Sequence, residues 1–407
     1  MMRLQLSRPS SRPIAIDLGF SATRLLQRGG PEGRHVIAAD EIPVPDEYGE
    51  DQVRRLAHLA DELPRVLKEG AFRGRKVILG MPACATTIQH MQLDTAESRA
   101  PELAIHTKLQ GCEGEQMARW LDITEIHRNG KPQQEIICLA LPRDLVMQHV
   151  DMLHGLKLEI MGVYTQPVML AAAFNHLNRR ATDTEQATLY VDLGYGGTTI
   201  AITHGKELVF ARRIPVGGWH FDRSISRSLN CNIAAARAHR LAITAPESSQ
   251  NQDDSKTKSA NGQSGVAMLD AAIRQANSGA ERRVGANPPG IAGTVDGEAA
   301  PAAAIDLSEL LETLVDEISL CLRYHKGLFP QRSIARGIFV GGESRQSWLC
   351  RHIVQAIRLP GQAGDPLSRL HTEETATGLL GWTNRPRPEW SVAAGLLERS
   401  MARKVKA

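Results

Sequence analysis

The sequence predicts a mixed α/β protein whose chain forms two related lobes that face each other across a cleft. Two matching glycine turns, about half the chain apart, carry this prediction. They occupy residues 14–23 and 189–199, and each begins as a short apolar strand, reaches an aspartate and then turns through glycine and small hydroxyl residues. An internal repeat of this kind indicates two units of similar structure. A third element, a strand at 334–340 that runs into Gly341-Gly342 and then a helix pattern, completes the set.

Both turns contain the residue types that bind a nucleoside triphosphate. Glycines let the backbone approach phosphate oxygens, while hydroxyl and amide groups donate hydrogen bonds to them. Asp17 and Asp192, one in each turn, are candidate ligands of Mg²⁺, usually through water. A single turn of this kind also fits an ordinary strand-to-hairpin connection. Two copies, each opening its half of the fold, favour the phosphate-binding interpretation.

The third element suits the flat end of a nucleotide. A strand that ends in Gly341-Gly342 and continues as a helix brings the backbone close to a flat ligand or a phosphate. On its own, this pattern is explained as well by an ordinary Gly-Gly turn. Together with the two aspartate turns, it strengthens the prediction of a nucleotide site.

Composition argues against several classes of function. The chain has 407 residues, 42% of them hydrophobic, which suffices for two lobes with a substantial core. Its net charge of +3 does not call for nucleic acid as a partner. No apolar run approaches the roughly 20 residues that span a bilayer, and the N-terminus lacks the apolar core of a signal peptide. We therefore expect a soluble protein with no membrane span.

The cysteines and histidines form no metal or redox motif. The six cysteines are widely spread, with no Cys-x-x-Cys, which is typical of reduced structural residues in a cytoplasmic protein. The 14 histidines include neither His-Glu-x-x-His nor a clustered Cys/His spacing. The sequence therefore predicts no metal site besides the two aspartates.

Apolar patterning and turn residues predict the order of elements. We expect a helix over 52–68 in which Pro64 must start, kink or end the structure. Residues 245–304 are rich in Ser, Asn, Gly, Ala, Pro and Gln and have no aromatic residue, so we predict a disordered insertion with a short helix near 266–275. The other predicted elements are strands at 14–18, 23–27, 35–43, 188–192, 198–203 and 207–214 and helices at 221–229 and 347–357.

The three glycine elements together resemble the phosphate 1, phosphate 2 and adenosine motifs of the actin-like ATPase superfamily. Within that superfamily the chain most resembles the family of the type IV pilus assembly protein PilM, which is related to the cell-division protein FtsA. The resemblance covers most of residues 12–240 and 305–398. It is supported by further segments that look like strands, helices and connectors of that family, at 76–82, 100–110, 136–144, 162–173 and 390–397.

The resemblance implies an actin-like, ribonuclease H-like two-lobed α/β fold with the inserted subdomain of FtsA and PilM. It divides the chain into a basic N-terminal segment (1–12), a first lobe or actin-like IA (13–75, 161–187 and 388–400), a 1C-like inserted subdomain (76–160), a second lobe or actin-like IIA/IIB (188–244 and 305–387), the disordered insertion (245–304) and a basic tail (401–407).

The resemblance also implies roles for individual residues. Asp17 and Asp192 would flank Mg²⁺ from opposite lobes, and Gln166 falls where actin-like proteins often carry a residue that orients the attacking water. Capping of the turn before Pro167 explains Gln166 equally well. Catalysis would thus rest on Gln166 and Asp192. ATP would be bound by Asp17, Gly19, Phe20, Ser21, Ala22, Gly194, Gly196, Gly197 and Thr198 around the phosphates and by Gly341, Gly342 and Glu343 beside the adenosine.

Some positions depart from the pattern of the superfamily. Arg24 stands where a lysine often follows the first turn. In the second lobe, the stretch that matches an Ala-Glu-x-x-Lys helix reads 236–240, with Arg237 in place of the glutamate. The bulky Phe20 and Tyr195 also sit inside turns where small residues are more usual.

The function that the resemblance implies is a cytoplasmic scaffold, peripheral to the inner membrane through its partners. It would bind ATP as a conformational ligand, with at most slow hydrolysis, and would dock the cytoplasmic N-terminal peptide of a PilN-like inner-membrane pilus protein. The groove for this peptide is expected around residues 76–160. The implied function involves no nucleic acid and leaves self-association open.

Two alternatives within the superfamily have less support in the sequence. A small-molecule kinase needs a further catalytic aspartate, and no such motif stands out between the connector and the second lobe. A filament-forming, membrane-associated ATPase like FtsA usually ends in a long amphipathic helix. Here the C-terminus carries only Leu396, Leu397, Met401 and Val405 among basic residues, which suits either weak contact with anionic lipid or a solvated helix end.

Overall fold

Short runs of strands and of helices follow one another along the part of the chain that the structure describes. This computed structural model describes residues 12–30, 33–94, 97–123, 127–128, 131–132, 134–178, 185–243, 305–372 and 386–404. The predicted insertion at 245–304, with its short helix near 266–275, lies outside these ranges, as do residues 1–11 and 405–407 of the two basic ends.

The strands and helices have the following bounds. The strands are β1 (Ile14–Leu18), β2 (Ala22–Gly29), β3 (His35–Pro43), β4 (Lys76–Gly80), β5 (Thr87–Leu93), β6 (Gln116–Ile123), β7 (His127–Arg128), β8 (Lys131–Pro132), β9 (Gln134–Pro142), β10 (Glu159–Tyr164), β11 (Ala187–Leu193), β12 (Thr198–His204), β13 (Glu207–Ile214), β14 (Ile334–Val340), β15 (Gly361–Ala363) and β16 (His371–Thr372). The helices are α1 (Gln52–Glu69), α2 (Pro101–Lys108), α3 (Arg143–Gly155), α4 (Gln166–Ala173), α5 (Gly218–Leu229), α6 (Ile233–Leu241), α7 (Ser308–Leu328), α8 (Ser347–Ile357) and α9 (Ser391–Lys404).

The two large sheets share one strand order. In the first, β1, β2 and β3 form an antiparallel meander, and β4 and then β10 are added in parallel beyond β1. In the second, β11, β12 and β13 form the meander, and β14 and β15 are added in parallel beyond β11. Each aspartate turn joins the first two strands of its sheet. The prediction of two related lobes is confirmed.

Burial explains why β1 and β11 lie in the interior of their sheets. All five residues of β1 and all seven residues of β11 are buried, as expected for strands that are covered on both faces. The helix predicted over 52–68 is α1, and Pro64 neither starts nor ends it. Leu63 and Val66 are buried on either side of this proline, so packing holds the last turn of the helix against the core.

Two helices cross between the lobes beneath the cleft. α4 follows β10, and α9 follows the buried Trp390, in agreement with the two connectors that the sequence predicts. The backbone of Gly395 lies directly against the backbone of Met169, so a side chain at residue 395 would separate the helices. Arg28 on β2 donates to Glu398 at 2.6 Å and ties α9 to the first sheet.

The segment between β4 and β10 forms a small subdomain with its own sheet, in the order β5-β9-β6. One face of this sheet packs on α2 through an apolar cluster that includes Ile105, Ile136 and Cys138. The other face joins the large core that contains Phe210 of the second lobe. His90 on β5 stacks on the Phe210 ring at 4.7 Å and bonds the carbonyl of Ala211 at 3.0 Å.

The short strand β16 adds to the edge of the first sheet. His371 and Thr372 pair in parallel with His35 and Val36 of β3. The sequence division assigns residues 305–387 to the second lobe, but here the chain has already returned to the first lobe before residue 388. Two residues in a strand leave no apolar pattern that could have predicted this pairing.

The C-terminal helix α9 uses its apolar residues in the core. Leu396 and Leu397 are both buried, which fits neither lipid contact nor a solvated helix end at these two positions. Over the described ranges, none of the helices combines the length and the hydrophobicity that crossing a bilayer requires.

Candidate functional site

A cleft between the two sheets brings the predicted site residues together. Its volume is about 730 Å³, which lies in the range of small-molecule sites. Every predicted site residue except Thr198 lines it, namely Asp17, Gly19, Phe20, Ser21, Ala22, Gln166, Asp192, Gly194, Gly196, Gly197, Gly341, Gly342 and Glu343.

The two aspartates lie near the carboxyl ends of the equivalent strands β1 and β11 and are buried. Burial raises the pKa of Asp17 to about 7; Arg24 lowers this pKa, whereas Asp192 and Glu41 raise it. Burial also raises the pKa of Asp192 to about 7, against the lowering effects of Arg24 and of the hydrogen bond from Gln166. Strongly perturbed carboxyl groups that meet in a cleft are typical of a functional site.

A row of alternating charges crosses the first sheet at the cleft. Asp17 on β1 lies opposite Arg24 on β2, and Arg24 lies opposite Glu41 on β3. The Arg24 Nε donates to Glu41 Oε1 at 3.1 Å. In the second lobe the residue opposite Asp192 is Thr199, so the equivalent of Arg24 there is an uncharged hydroxyl.

Gln166 joins the second aspartate to this hydroxyl. It is the first residue of α4, and its Nε2 donates to Asp192 Oδ2 at 2.7 Å. Thr199 Oγ1 donates to Gln166 Oε1 at 2.5 Å, which fixes the orientation of the amide. One N–H and one lone pair of the amide remain for a water or a phosphate oxygen. The sequence singled out Gln166 but missed Thr199, whose role depends on the register between β11 and β12.

The first turn is held by an arginine from α1. Arg55 donates to the carbonyl oxygens of Gly19 and Phe20 at 2.7 and 2.8 Å, and its guanidinium lies over the Phe20 ring, 4.8 Å from the centroid. The Ser21 carbonyl accepts from the backbone N–H of Val44 at 3.0 Å. No local sequence pattern indicated Arg55, since strands β2 and β3 lie between it and the turn.

The second turn is held by the N-terminus of α5. The backbone N–H groups of Gly218 and Trp219 donate to the carbonyl oxygens of Gly194 and Tyr195 at 3.2 and 2.8 Å. Thr198 lies behind this turn, where its hydroxyl donates to the carbonyl of Val216 at 2.8 Å and is buried. The predicted phosphate contact of Thr198 is therefore not available through its hydroxyl in this arrangement.

The third element places Gly341 beside the second aspartate. Gly341 has a φ of 85°, and a Cβ there would overlap Asp192 Oδ1 and the carbonyl of Leu193, so only glycine fits. Gly342 is open to the cleft, with no atom within 4 Å of an added Cβ. The backbone therefore leaves room for a flat ligand at this end of the cleft.

Glu343 belongs to a buried ion network. Arg240 of α6 donates through Nη1 to Glu343 and through Nε to Asp222 Oδ1 at 2.5 Å, and all three side chains are buried. The two carboxylates keep the pKa of Arg240 raised despite its burial. Arg240 occupies the lysine position of the helix motif at 236–240, so the sequence located the residue but not its partners.

The remaining cations that line the cleft each have an acidic neighbour. Arg237 lies 3.3 Å from Asp46, and Arg345 lies 3.7 Å from Glu389. Arg213 donates to the carbonyl of Gly196 at 3.0 Å. With Arg24 beside Asp17 and Glu41, the cleft is lined by six carboxyl groups and four guanidinium groups, so a cation that accompanies an anionic ligand would favour its binding.

The two aspartates could share a divalent cation. Within the described ranges, no three or more His, Cys, Asp or Glu side chains are grouped to hold a metal ion by themselves. Mg²⁺ keeps several waters and commonly uses one or two carboxylates plus substrate phosphates. Asp17 and Asp192 fit this mode, because both are oxygen ligands whose pKa is raised by burial and whose charged form a bound cation would favour.

Two lobes with the same strand order, crossing helices between them and an aspartate turn at each wall of the cleft together define an actin-like fold. Residues 15–252, more than half of the chain, match the family model of the type IV pilus assembly protein PilM. The chain belongs to the PilM family. No curated protein matches its sequence with significance.

The first of three similar solved structures supports this fold. The structure titled PilM-PilN type IV pilus biogenesis complex has a TM-score of 0.68 and 18% identity, covering 96% of this chain and 99% of that chain. MreB5 of Spiroplasma citri bound to AMPPNP has a TM-score of 0.47 and 13% identity, covering 98% and 99%. The ethanolamine utilization protein EutJ of Carboxydothermus hydrogenoformans has a TM-score of 0.44 and 12% identity, covering 96% and 90%.

Proposed function

We propose that this protein is a cytoplasmic scaffold of type IV pilus assembly that binds Mg-ATP between its lobes and docks the cytoplasmic N-terminal peptide of a PilN-like inner-membrane protein. The proposal of Mg-ATP binding rests on one observation, which is that two equivalent aspartate turns meet in one cleft. The name of the solved PilM-PilN complex supports the partner half, since this chain belongs to the same family.

The triphosphate would lie between the two turns. Backbone amides of the glycine turns would donate to the phosphates, Asp17 and Asp192 would hold Mg²⁺ through water, and the adenosine would lie against Gly341 and Gly342. Bound Mg²⁺ supplies charge neutralisation for the phosphates. Arg24 adds a fixed cation next to Asp17, which offsets part of the repulsion between the carboxylates and the ligand.

Turnover of ATP is proposed to be slow. A water-orienting side chain needs free hydrogen-bonding positions, and the bonds of Gln166 to Asp192 and Thr199 leave its amide with only one N–H and one lone pair and fix its orientation. Its amide therefore serves first to position Asp192. ATP then acts as a conformational ligand that favours one arrangement of the lobes.

The partner peptide is proposed to dock around residues 76–160, next to the first lobe. In the described part of the chain, β6 and β10 are edge strands that pair on one side only. They expose Met117 and Met161, at 47% and 43%. An open edge offers backbone pairing to an extended peptide, and flexible methionine side chains adapt to its apolar residues.

Calorimetric titration with Mg-ATP tests the nucleotide half. We expect wild-type protein to bind, Asp17→Ala and Asp192→Ala to lose binding, and Asp61→Ala, an exposed aspartate of α1, to behave as wild type. Absence of binding by wild type up to millimolar ATP would contradict this half. Titration with a synthetic N-terminal peptide of a PilN-like protein tests the proposed partner. A wild-type protein that does not bind this peptide, either with or without ATP, would contradict the proposed docking.

A further inference from the structure

Two aromatic residues at equivalent positions of the repeat meet across the cleft. Phe20 is the third residue after Asp17, and Tyr195 is the third residue after Asp192. Their rings pack edge to face with centroids 5.9 Å apart, a favourable geometry for an aromatic pair. The tips of the two turns thus touch each other through side chains.

The Phe20 ring fills a slot in the second lobe. A Cβ added to Gly196 would overlap this ring, and the Trp219 ring lies 6.3 Å away, centroid to centroid. From its own lobe, Arg55 lies over the ring and donates to the Phe20 carbonyl. The ring is therefore held from both lobes, and the bare backbone of Gly196 leaves the space that it needs.

Residues that follow β3 reinforce this contact with two ion pairs between the lobes. Asp46 lies 3.3 Å from Arg237, whose guanidinium also lies over the Tyr195 ring at 4.5 Å from its centroid. Glu50 lies 4.0 Å from Arg213 of β13. Both pairs are partly exposed and therefore weak singly. These ion pairs act together with the contact between Phe20 and Tyr195, because all of them join the first lobe to the second lobe.

We infer that Phe20, seated against Tyr195, Gly196 and Trp219, is an interlobe latch that holds the tips of the two turns together and must leave its slot before a triphosphate can enter between the turns. The closure needs only the contacts described above. The control of nucleotide entry rests on the proposed function. Phe20 and Tyr195 thereby acquire a role, because they close the gap between the tips of the turns while the cleft that they line keeps its volume of about 730 Å³.

Hydrogen–deuterium exchange of the ligand-free protein, followed by mass spectrometry, tests the closure. We expect Phe20→Ala to raise the exchange of backbone amides at 194–198 in the opposite lobe by about five- to tenfold, which corresponds to the loss of an aromatic contact. Phe72→Ala, at a half-buried phenylalanine of the first lobe outside the cleft, is the matched control. Exchange at 194–198 that is the same in Phe20→Ala and wild type would overturn the latch.

A second variant changes the residue of the second lobe against which the Phe20 ring packs. Gly196→Ala fills the space of the Phe20 ring without requiring a positive φ, and we expect the same rise of exchange, now at residues 19–22 of the first lobe. Stopped-flow mixing with a fluorescent ATP analogue should show association about tenfold faster for Phe20→Ala than for wild type. Faster exchange with no nucleotide binding in any variant would support the latch and contradict the proposed nucleotide function. Faster exchange with unchanged association would overturn control of entry.

Discussion

Asp17 and Arg24 lie directly opposite each other on β1 and β2, whereas the equivalent position opposite Asp192 is the uncharged Thr199. One guanidinium thus acts on two buried carboxyl groups, lowering the pKa of both but leaving each at about 7. A site of this kind gains from a second cation, because the cation replaces the protons that burial retains.

Proton release should accompany the binding of Mg-nucleotide. Near neutral pH each of the two carboxyl groups carries about half a proton, so we expect release of about one proton per nucleotide bound. Calorimetric titration in two buffers of different ionisation enthalpy measures this number. Affinity should rise from about pH 6 to about pH 8. Binding without proton release near neutral pH would mean that Asp17 and Asp192 do not approach the cation.

Asp17→Asn should stabilise the ligand-free protein while it weakens nucleotide binding. The folded-state pKa of Asp17 lies above the unfolded value, so the wild-type protein loses stability as pH rises from about 4 through about 7. The asparagine amide does not titrate and therefore avoids this loss. We expect the free energy of unfolding of Asp17→Asn to exceed that of wild type by on the order of 2 kcal/mol at about pH 8. Urea unfolding at about pH 5 and pH 8 measures it. Asp61→Asn should show no such gain, and a variant that is destabilised at the higher pH would contradict the assignment.

Gln166→Ala should weaken Mg-nucleotide binding in a pH-dependent way. The amide of Gln166 is one of the groups that lower the pKa of Asp192, so its removal leaves this carboxyl more fully protonated near neutral pH. We expect a several-fold loss of affinity near pH 7 that shrinks toward pH 8. Thr199→Val should cause a smaller loss of affinity with the same pH dependence. It removes the hydrogen bond that orients the Gln166 amide but keeps the amide itself. A loss that is equal at all pH values would instead indicate a packing role, and Gln355→Ala, at an exposed position of α8, is the neutral control.

The sequence predicted the lobes and the turns because the necessary signals are local. An apolar run, an aspartate and a glycine lie within about ten residues of each other, and β1, β3 and β13 have the predicted bounds. The contacts between distant elements left no such signal. Arg240 meets Asp222 and Glu343 only after α5, α6 and the loop after β14 have packed, and Phe20 meets Tyr195 only after the lobes close. Tertiary geometry decides these contacts.

Arg240→Met should destabilise the protein strongly. The substitution leaves Asp222 and Glu343 buried without their cation, and the loss of one partner of a buried ion pair typically costs about 3–5 kcal/mol. Arg240→Lys keeps the charge and should cost less, although it cannot reach both carboxylates with the geometry of a guanidinium. Arg227→Ala, at an exposed position of α5, should stay within about 0.5 kcal/mol of wild type. Equal midpoints of urea unfolding for Arg240→Met and Arg227→Ala would contradict a structural role for the network.

His325 should make the second lobe sensitive to acid. His204 and His325 are both buried, and their Nε2 atoms lie within hydrogen-bond distance at 2.9 Å, so one ring donates and the other accepts in the neutral pair. Burial lowers the pKa of His325 to about 4, below the value of about 6.5 in an unfolded chain. The unfolded state therefore binds more protons between these values, and stability falls as pH drops from about 6.5 toward 4, by up to about 3 kcal/mol. His325→Gln keeps a hydrogen-bonding group that does not titrate, so it should lose part of this dependence, whereas His352→Gln at an exposed site of α8 should retain it. Urea unfolding at about pH 5 and pH 7.5 compares the three proteins, and an identical pH dependence in all of them would place the acid sensitivity elsewhere.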